Sequence, residues 1–240
     1  MKLRVIFLSV FTGICLIVSA QGKLEIHGGV AAPSYEFRQT KTEYGGAAET
    51  GINLGVKYIF PLKSAKGLSL TIGADYLSND LNQDGKTVME SMMKSELTVL
   101  LQPYSYSNFK VNHYSYLNIP VFVGFEYKLP FDKYTSLCLN GGLGPNYSKP
   151  SDFSVQFSSQ GVNAKLTESF NSMAGFAYQL GIGVLYQNQY SVQLNYNALG
   201  LYKYKAKATV EANGQSQSQE SSNTLNVNID IFSATFGIRF

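Results

Sequence analysis

The chain has no tryptophan, only two cysteines, and charge on just 15% of its 240 residues. Each shortage excludes something. Cys15 lies in an apolar leader, so once that leader is removed Cys138 is the single thiol. No intramolecular disulfide can then hold the fold. Lys2 and Arg4 leave with the leader, which lowers the formal charge from +3 to +1. That balance gives no electrostatic case for nucleic acid. After residue 20 no segment resembles a membrane helix, which needs ~20 apolar residues. Helical periodicity is scarce too.

The leader reads MKLRVIFLSVFTGICLIVSAQG. Lys2 and Arg4 form a positive start, Val5 to Val18 an apolar stretch, and Val18-Ser19-Ala20 a small-residue site before Gln21. This is the layout of a secretory signal peptide over residues 1–20, cleaved near Ala20. The apolar stretch is short for an anchor. Ile14 stands before Cys15, where a lipoprotein would carry a small residue. The mature chain, residues 21–240, is expected to leave the cytoplasm.

What fills the rest is alternation. Period two means strands with one apolar face, and eight segments show it: Leu24 to Ala32, Ile52 to Phe60, Leu68 to Tyr76, Leu117 to Tyr127, Leu137 to Tyr147, Phe176 to Tyr186, Tyr190 to Tyr202 and Leu225 to Phe240. In the last, the phase slips where Ile231 and Phe232 adjoin, and a β-bulge there would restore it. Short connections (PLKSAKG, KLPFDK, QNQ) alternate with long ones near 33–51, 77–116, 148–175 and 203–224. Long–short alternation is the loop rule of an outer-membrane barrel, with short periplasmic turns and long extracellular loops.

Aromatic positions fit two interfacial girdles. Phe60, Tyr127, Tyr186, Tyr190 and Phe240 fall at periplasmic ends; Tyr76, Phe176 and Tyr202 fall at outer ends. A soluble barrel or sandwich also alternates, but its second face usually carries many Lys and Glu. Here that face is Asn, Gln, Ser, Thr and Gly. The expected fold is therefore all-β: a transmembrane antiparallel up-and-down barrel of eight strands. Ten is the alternative if a long loop adds a hairpin.

The leader, the eight segments and the aromatic ending FSATFGIRF resemble an outer-membrane protein with a C-terminal assembly signal. By that resemblance the insertion machinery reads the last strand, and Phe232, Phe236 and Phe240 carry the signal. Tyr116-Leu117-Asn118-Ile119-Pro120-Val121 resembles a motif of the small outer-membrane protein beta-barrel domain family, porin-like or PorT-like. That motif has an acidic residue where Asn118 stands. The resemblance implies fold and location, and little about function.

Several groups are candidates for chemistry. Glu25, His27, Lys57, Asp75, Glu126, Asp230 and Arg239 fall on the polar face. An eight-stranded barrel is just wide enough to be filled by side chains, and buried charges must pair. A structural polar network is expected, with a narrow solute path as the alternative. Asp80, Asn82 and Asp84, followed by Gly85, resemble the opening of a calcium loop. The closing acid is out of register, with Ser91 in its place, so a polar Asp-Gly turn is expected and no metal. His113 and Ser115, two apart, resemble the His-x-Ser element of lipid A deacylases, but no acid is placed in sequence to orient His113. Val88 to Leu101 suggests a helix capping the barrel mouth or a partner patch. NGQSQSQESSN, residues 213–223, reads as a solvated, mobile loop tip.

These readings point to an integral outer-membrane barrel of a Gram-negative-type bacterium. The expected role is non-enzymatic, structural or interactive, through extracellular loops. A small-solute pore and a lipid A-modifying enzyme are the alternatives. No cofactor is expected. Expected partners are outer-membrane lipid, the barrel-assembly machinery during insertion, and an extracellular or secretion-system protein, but no nucleic acid.

Overall fold

The computed structural model describes residues 22–40, 45–101 and 104–240. The expected signal peptide, residues 1–20, and its expected cleavage before Gln21 lie outside the described residues. Eleven strands are found among the described residues: β1 (Lys23–Pro33), β2 (Gly51–Pro61), β3 (Leu68–Asp80), β4 (Ser107–Asn112), β5 (Ser115–Pro130), β6 (Thr135–Pro150), β7 (Phe153–Ser159), β8 (Val162–Phe170), β9 (Met173–Tyr186), β10 (Tyr190–Ala212) and β11 (Gln215–Arg239). There are also a short helix α1 (Tyr35–Arg38) and a long one, α2 (Gln83–Leu101).

Eight of the strands close a ring in the order β11-β1-β2-β3-β5-β6-β9-β10, and β10 pairs with β11 to shut it. Every pairing in the ring is antiparallel. These are the eight segments expected from alternation. At the closing seam Glu25 stands opposite Arg239, and Tyr190 opposite Ile238. Among the described residues the long connections add no strand to the wall. Instead β8, β7 and β4 extend a sheet sideways from the upper part of β10, where Ala206 to Ala212 pairs with Phe170 to Ala164.

Around the ring, apolar side chains face outward: Leu54, Val123, Phe125, Leu180, Leu194 and Phe232 are exposed. Glu25, Asn53, Asp75, Asn118, Glu126, Gln193 and Arg239 are buried inside. A water-soluble domain would hide the first set and expose much of the second. An outer apolar surface on a closed ring suits lipid, because closure leaves no unpaired backbone edge. Tyr127, Tyr186, Tyr190 and Phe240 stand exposed at the periplasmic end, and Tyr76 and Phe176 at the other. Phe60 is half-buried, its ring 4.4 Å from that of Tyr58.

That outward-apolar pattern stops partway up β10. From Tyr190 to Ala198 the inward residues are polar, Ser191, Gln193, Asn195 and Asn197. This stretch fits the ~9–11 tilted residues of a spanning strand. Then the register shifts between Ala198 and Gly200, and Gly200 takes φ +108°. Such a φ strains residues with a side chain, and glycine adopts it freely. Above the bulge Tyr202, Tyr204 and Ala206 face in, while Lys203, Lys205 and Lys207 face out. This is the ordinary pattern of a strand in water.

The bulge corrects two expectations. Tyr202 is no girdle residue: it is 2% exposed, its hydroxyl donating to Leu199 O at 2.7 Å. And β11 has no bulge at Ile231–Phe232. Its pairing with β10 runs unshifted from Ile238 down to Asp230, with Ile231 fully buried and Phe232 55% exposed. The strand keeps its phase while its surroundings change. In the membrane, Ser233 and Thr235 face in and Phe232 and Phe236 face out; above it, Val227, Ile229 and Ile231 face in and Asn228 and Asp230 face out.

The upper barrel is therefore an apolar core, and the connections stopper it. The segment after β1 lays Phe37 of α1 against Tyr116, ring centres 5.0 Å apart, and the Tyr116 hydroxyl donates to Gly46 O at 2.8 Å. Over this lies α2, whose Met89, Met93, Leu97 and Leu101 meet the core at helical i, i+4 spacing. Residues 213–223 are not a loose tip. Asn213 and Gly214, at φ 48° and 77°, make a two-residue hairpin turn, and β11 begins at Gln215.

Candidate functional site

Low in the barrel, four charged side chains from four strands meet. Arg239 on β11 donates through Nη1 and Nη2 to both oxygens of Glu126 on β5, at 2.8 Å each. Its Nε donates to Glu25 Oε2 on β1 at 2.5 Å. Lys57 on β2 lies 3.1 Å from Glu25 Oε1 and 3.5 Å from Glu126 Oε2. Two carboxylates thus face two cations. The planar guanidinium suits the fork on Glu126, as a lysine would not. Gln193 donates to Glu25 from Nε2 at 3.0 Å and accepts from Lys57 Nζ at 3.1 Å, and Ser191 donates to Glu25 at 3.1 Å. Every lone pair so satisfied offsets part of the several kcal/mol that each buried ion costs.

One step higher, His27 Nε2 lies 2.7 Å from Asp75 Oδ1. Gly55 makes room for this pair, since a Cβ there would run into both Asp75 Oδ1 and His27 Nε2. Above it Gln179 donates to Asn197 Oδ1 at 2.7 Å, and Asn197 to Ser233 at 3.1 Å. Next, Asn146 donates to the Tyr202 hydroxyl at 2.8 Å and Ser148 to Asn118 Oδ1 at 2.6 Å. The gap lined by His27, Asp75, Asn140 and Asn195 measures about 30 Å³. That is about one water's share of liquid volume. Polar side chains from facing strands meet across the tube at this level.

Of the seven residues expected in the lumen, the structure brings together Glu25, His27, Lys57, Asp75, Glu126 and Arg239. Asp230 is not among them. It faces outward on β11 beside the Tyr196 hydroxyl, because the assumed bulge does not exist. Gln193 and Ser191 also belong to the network, and their place on the polar face of the seventh segment is their signal in the sequence.

Asp80, Asn82 and Asp84 make no calcium loop and no Asp-Gly turn. Asn82 Oδ1 accepts from Gly85 N at 2.8 Å, which caps the start of α2, and its Nδ2 donates to Arg38 O at 3.0 Å. Asp80 closes β3, where its carbonyl accepts from Glu49 N. Among the described residues no three His, Cys, Asp or Glu side chains are grouped to hold a metal.

An acid that spacing could not reveal lies near His113, though without a hydrogen bond to it. Glu90, on α2, places Oε1 3.4 Å from His113 Nε2. Ser115, however, turns its hydroxyl to Ser151 at 3.3 Å. Among the described residues no hydrogen bond joins His113 to Ser115, so the base and nucleophile of a triad are not coupled. Phe232, Phe236 and Phe240 face outward and are exposed, in line along one side of β11.

No curated protein sequence matches the chain. Among solved structures it is similar to Neisserial surface protein A, at 10% identity over 91% of this chain and 95% of that one, TM-score 0.45. It is similar to OprG from Pseudomonas aeruginosa at 15% identity, covering 91% and 96%, TM-score 0.43. It is similar to Ail, the attachment invasion locus protein of Yersinia pestis, at 12% identity, covering 91% and 99%, TM-score 0.40. The architecture rests on the strand pairings themselves. The family rests on a sequence match to the outer membrane protein beta-barrel domain over residues 7–240. A closed ring, apolar outside and polar within, matched along nearly its whole length, belongs to the outer membrane protein beta-barrel domain family and has its place in the outer membrane.

Proposed function

We propose that this protein is a non-enzymatic barrel that conducts no solute and works through the structure it holds above the membrane. One observation carries the reading: the lumen is spanned by the Arg239–Glu126–Glu25–Lys57 cluster and stoppered above by Phe37 and Tyr116. A pore would need a continuous bore, and these groups occupy it. The extracellular sheet of β4, β7, β8 and the upper β10 and β11, with α2 beside it, is the surface offered to a partner. That partner is an extracellular or secretion-assembly protein. The outward row Phe232, Phe236 and Phe240 serves insertion by the barrel-assembly machinery after the leader is cleaved near Ala20.

Recording from planar bilayers with the refolded barrel tests the reading. No steady conductance is expected between pH 5 and 8. Regular single-channel steps would overturn it in favour of a pore. The enzyme alternative meets its own check: lipid A mass spectra from cells carrying Ser115→Ala should match the parent, and a lost or gained acyl chain would restore that alternative.

A further inference from the structure

The periplasmic end of the barrel carries nearly all of its charge in one sign. Among the described residues its charged side chains are Lys23, Lys63, Lys66, Lys128, Lys133 and a single acid, Asp132. Asp132 is already engaged, because its Oδ1 accepts from the backbone N–H of Tyr134 at 2.7 Å and of Thr135 at 2.6 Å. The C-terminal carboxylate sits at the seam of β11 and β1, where Phe240 N donates to Leu24 O. The extracellular end mixes the two signs instead: Lys207 stands opposite Glu220, and Lys165 opposite Glu211.

Four of the lysines belong to two turns that lie side by side. Lys63 and Lys66 are in the β2–β3 turn, and Lys128 and Lys133 flank the tip of the β5–β6 turn. Lys128 N donates to Gly67 O at 2.8 Å, which joins the two turns. Lys128 Nζ donates to Asn188 Oδ1 at 2.7 Å. Lys63 and Lys66 are exposed and have no ion pair or hydrogen-bonded side-chain partner among the described residues. Lys133 lies only over the Tyr134 ring, 5.3 Å from its centre. At the tip of the second turn Phe131 is 84% exposed.

We propose that these two turns hold the headgroup of an anionic phospholipid of the inner leaflet. Its phosphate lies among Lys63, Lys66 and Lys133, and its acyl chains run past Phe131 and Tyr127. Depth argues for lipid. Lys128 directly follows Tyr127 of the lower aromatic girdle, and a strand advances only ~3.3 Å per residue. The turns therefore begin within the headgroup layer, which is roughly 5–7 Å thick on each side. Sign argues for an anion. Lysine stems lie along apolar surface and carry their ammonium groups to phosphate level, where clustered lysines attract anionic lipid. Phe131 argues against the cell wall. A glycan with free carboxylates would also meet lysines, but it would leave this ring in water, whereas the boundary of headgroups and acyl chains accepts it.

The inference needs only the barrel's place in the membrane, and it is independent of whether the lumen conducts. Because the chain has no tryptophan, Phe131→Trp supplies a single fluorescent reporter at the site. The refolded reporter barrel is placed in phosphatidylcholine bilayers containing increasing shares of phosphatidylglycerol brominated on its acyl chains. Quenching should show a preference of about threefold over brominated phosphatidylcholine, the scale of exposed ion pairs. The preference should fall to parity in 1 M salt, where the screening length is ~3 Å. Lys63→Gln, Lys66→Gln and Lys133→Gln together, in a barrel still heat-modifiable on a gel, should also bring it to parity. Parity in the reporter barrel at low salt would overturn the site, as would a preference kept in 1 M salt or in the triple variant. Parity at low salt together with lysine-dependent retention on isolated peptidoglycan would overturn it in favour of the cell wall.

Discussion

The lower lumen and the mouth above it fill the same narrow tube with opposite chemistry. Below, four charges, a His–Asp pair and a ladder of Asn, Gln and Ser occupy the interior. Above, Tyr116, Tyr202, Tyr204, Ile229 and Ile231 do, with Phe37 and Leu81 packed among them. The outer surface decides which. Where lipid surrounds the wall, apolar side chains lie outside at no hydrophobic cost, and the polar ones turn inward and must find partners. Where water surrounds it, burying apolar surface is again the favourable choice, at roughly 25 cal/mol per Å². One continuous strand, β11, shows both states without changing its phase.

The largest expected break is in the lower half. Arg239→Met leaves Glu25 and Glu126 short of a cation and should cost about 3–5 kcal/mol. Urea unfolding from lipid vesicles measures it. Adding Glu25→Gln and Glu126→Gln should recover much of the loss, because the uncompensated charges go with the cation. Next comes a matched pair across the boundary. Leu180→Arg on the lipid face should cost about 2–4 kcal/mol, and Leu201→Arg, above the β10 bulge, about 0–1 kcal/mol. Equal costs would erase the boundary. Gly55→Ala drives a Cβ into the His27–Asp75 pair and should cost about 1–3 kcal/mol by leaving buried polar groups unmade. Smallest and confined to the mouth is Asn82→Ala. It removes the cap of α2, worth about 1 kcal/mol, and amide exchange should quicken in α2 while the ring strands keep their protection.

Most of the ring was legible because period two needs only the identity of alternate residues, and the lumen charges followed from the same parity. The illegible parts have a common cause. Alternation reports which residues share a face, but not what lies outside that face. At Ile231–Phe232 a change of surroundings looked like a change of phase, which put Asp230 in the lumen and Tyr202 in lipid. The real bulge sits on the partner strand, at Ala198–Gly200, where Gly200 was its trace in the sequence. The Gln-Ser alternation after Asn213-Gly214 was also a strand signal, obscured by its low-complexity composition. Glu90 meets His113 only through the docking of α2 on the mouth, a tertiary event that no local spacing encodes.

The polarity inversion is tested most directly by spin labels placed singly along β10 and β11 in nanodiscs, in a Cys138→Ala background. Oxygen and a water-soluble nickel complex then report lipid and water separately. Labels at Val192, Leu194, Phe232 and Phe236 should favour oxygen, and labels at Lys203, Lys205 and Asn228 should favour nickel. The phase should break on β10 between Ala198 and Gly200 and run unbroken through Ile231 and Phe232 on β11. A phase break at Ile231–Phe232, or lipid contact at Lys203 and Lys205, would contradict the account.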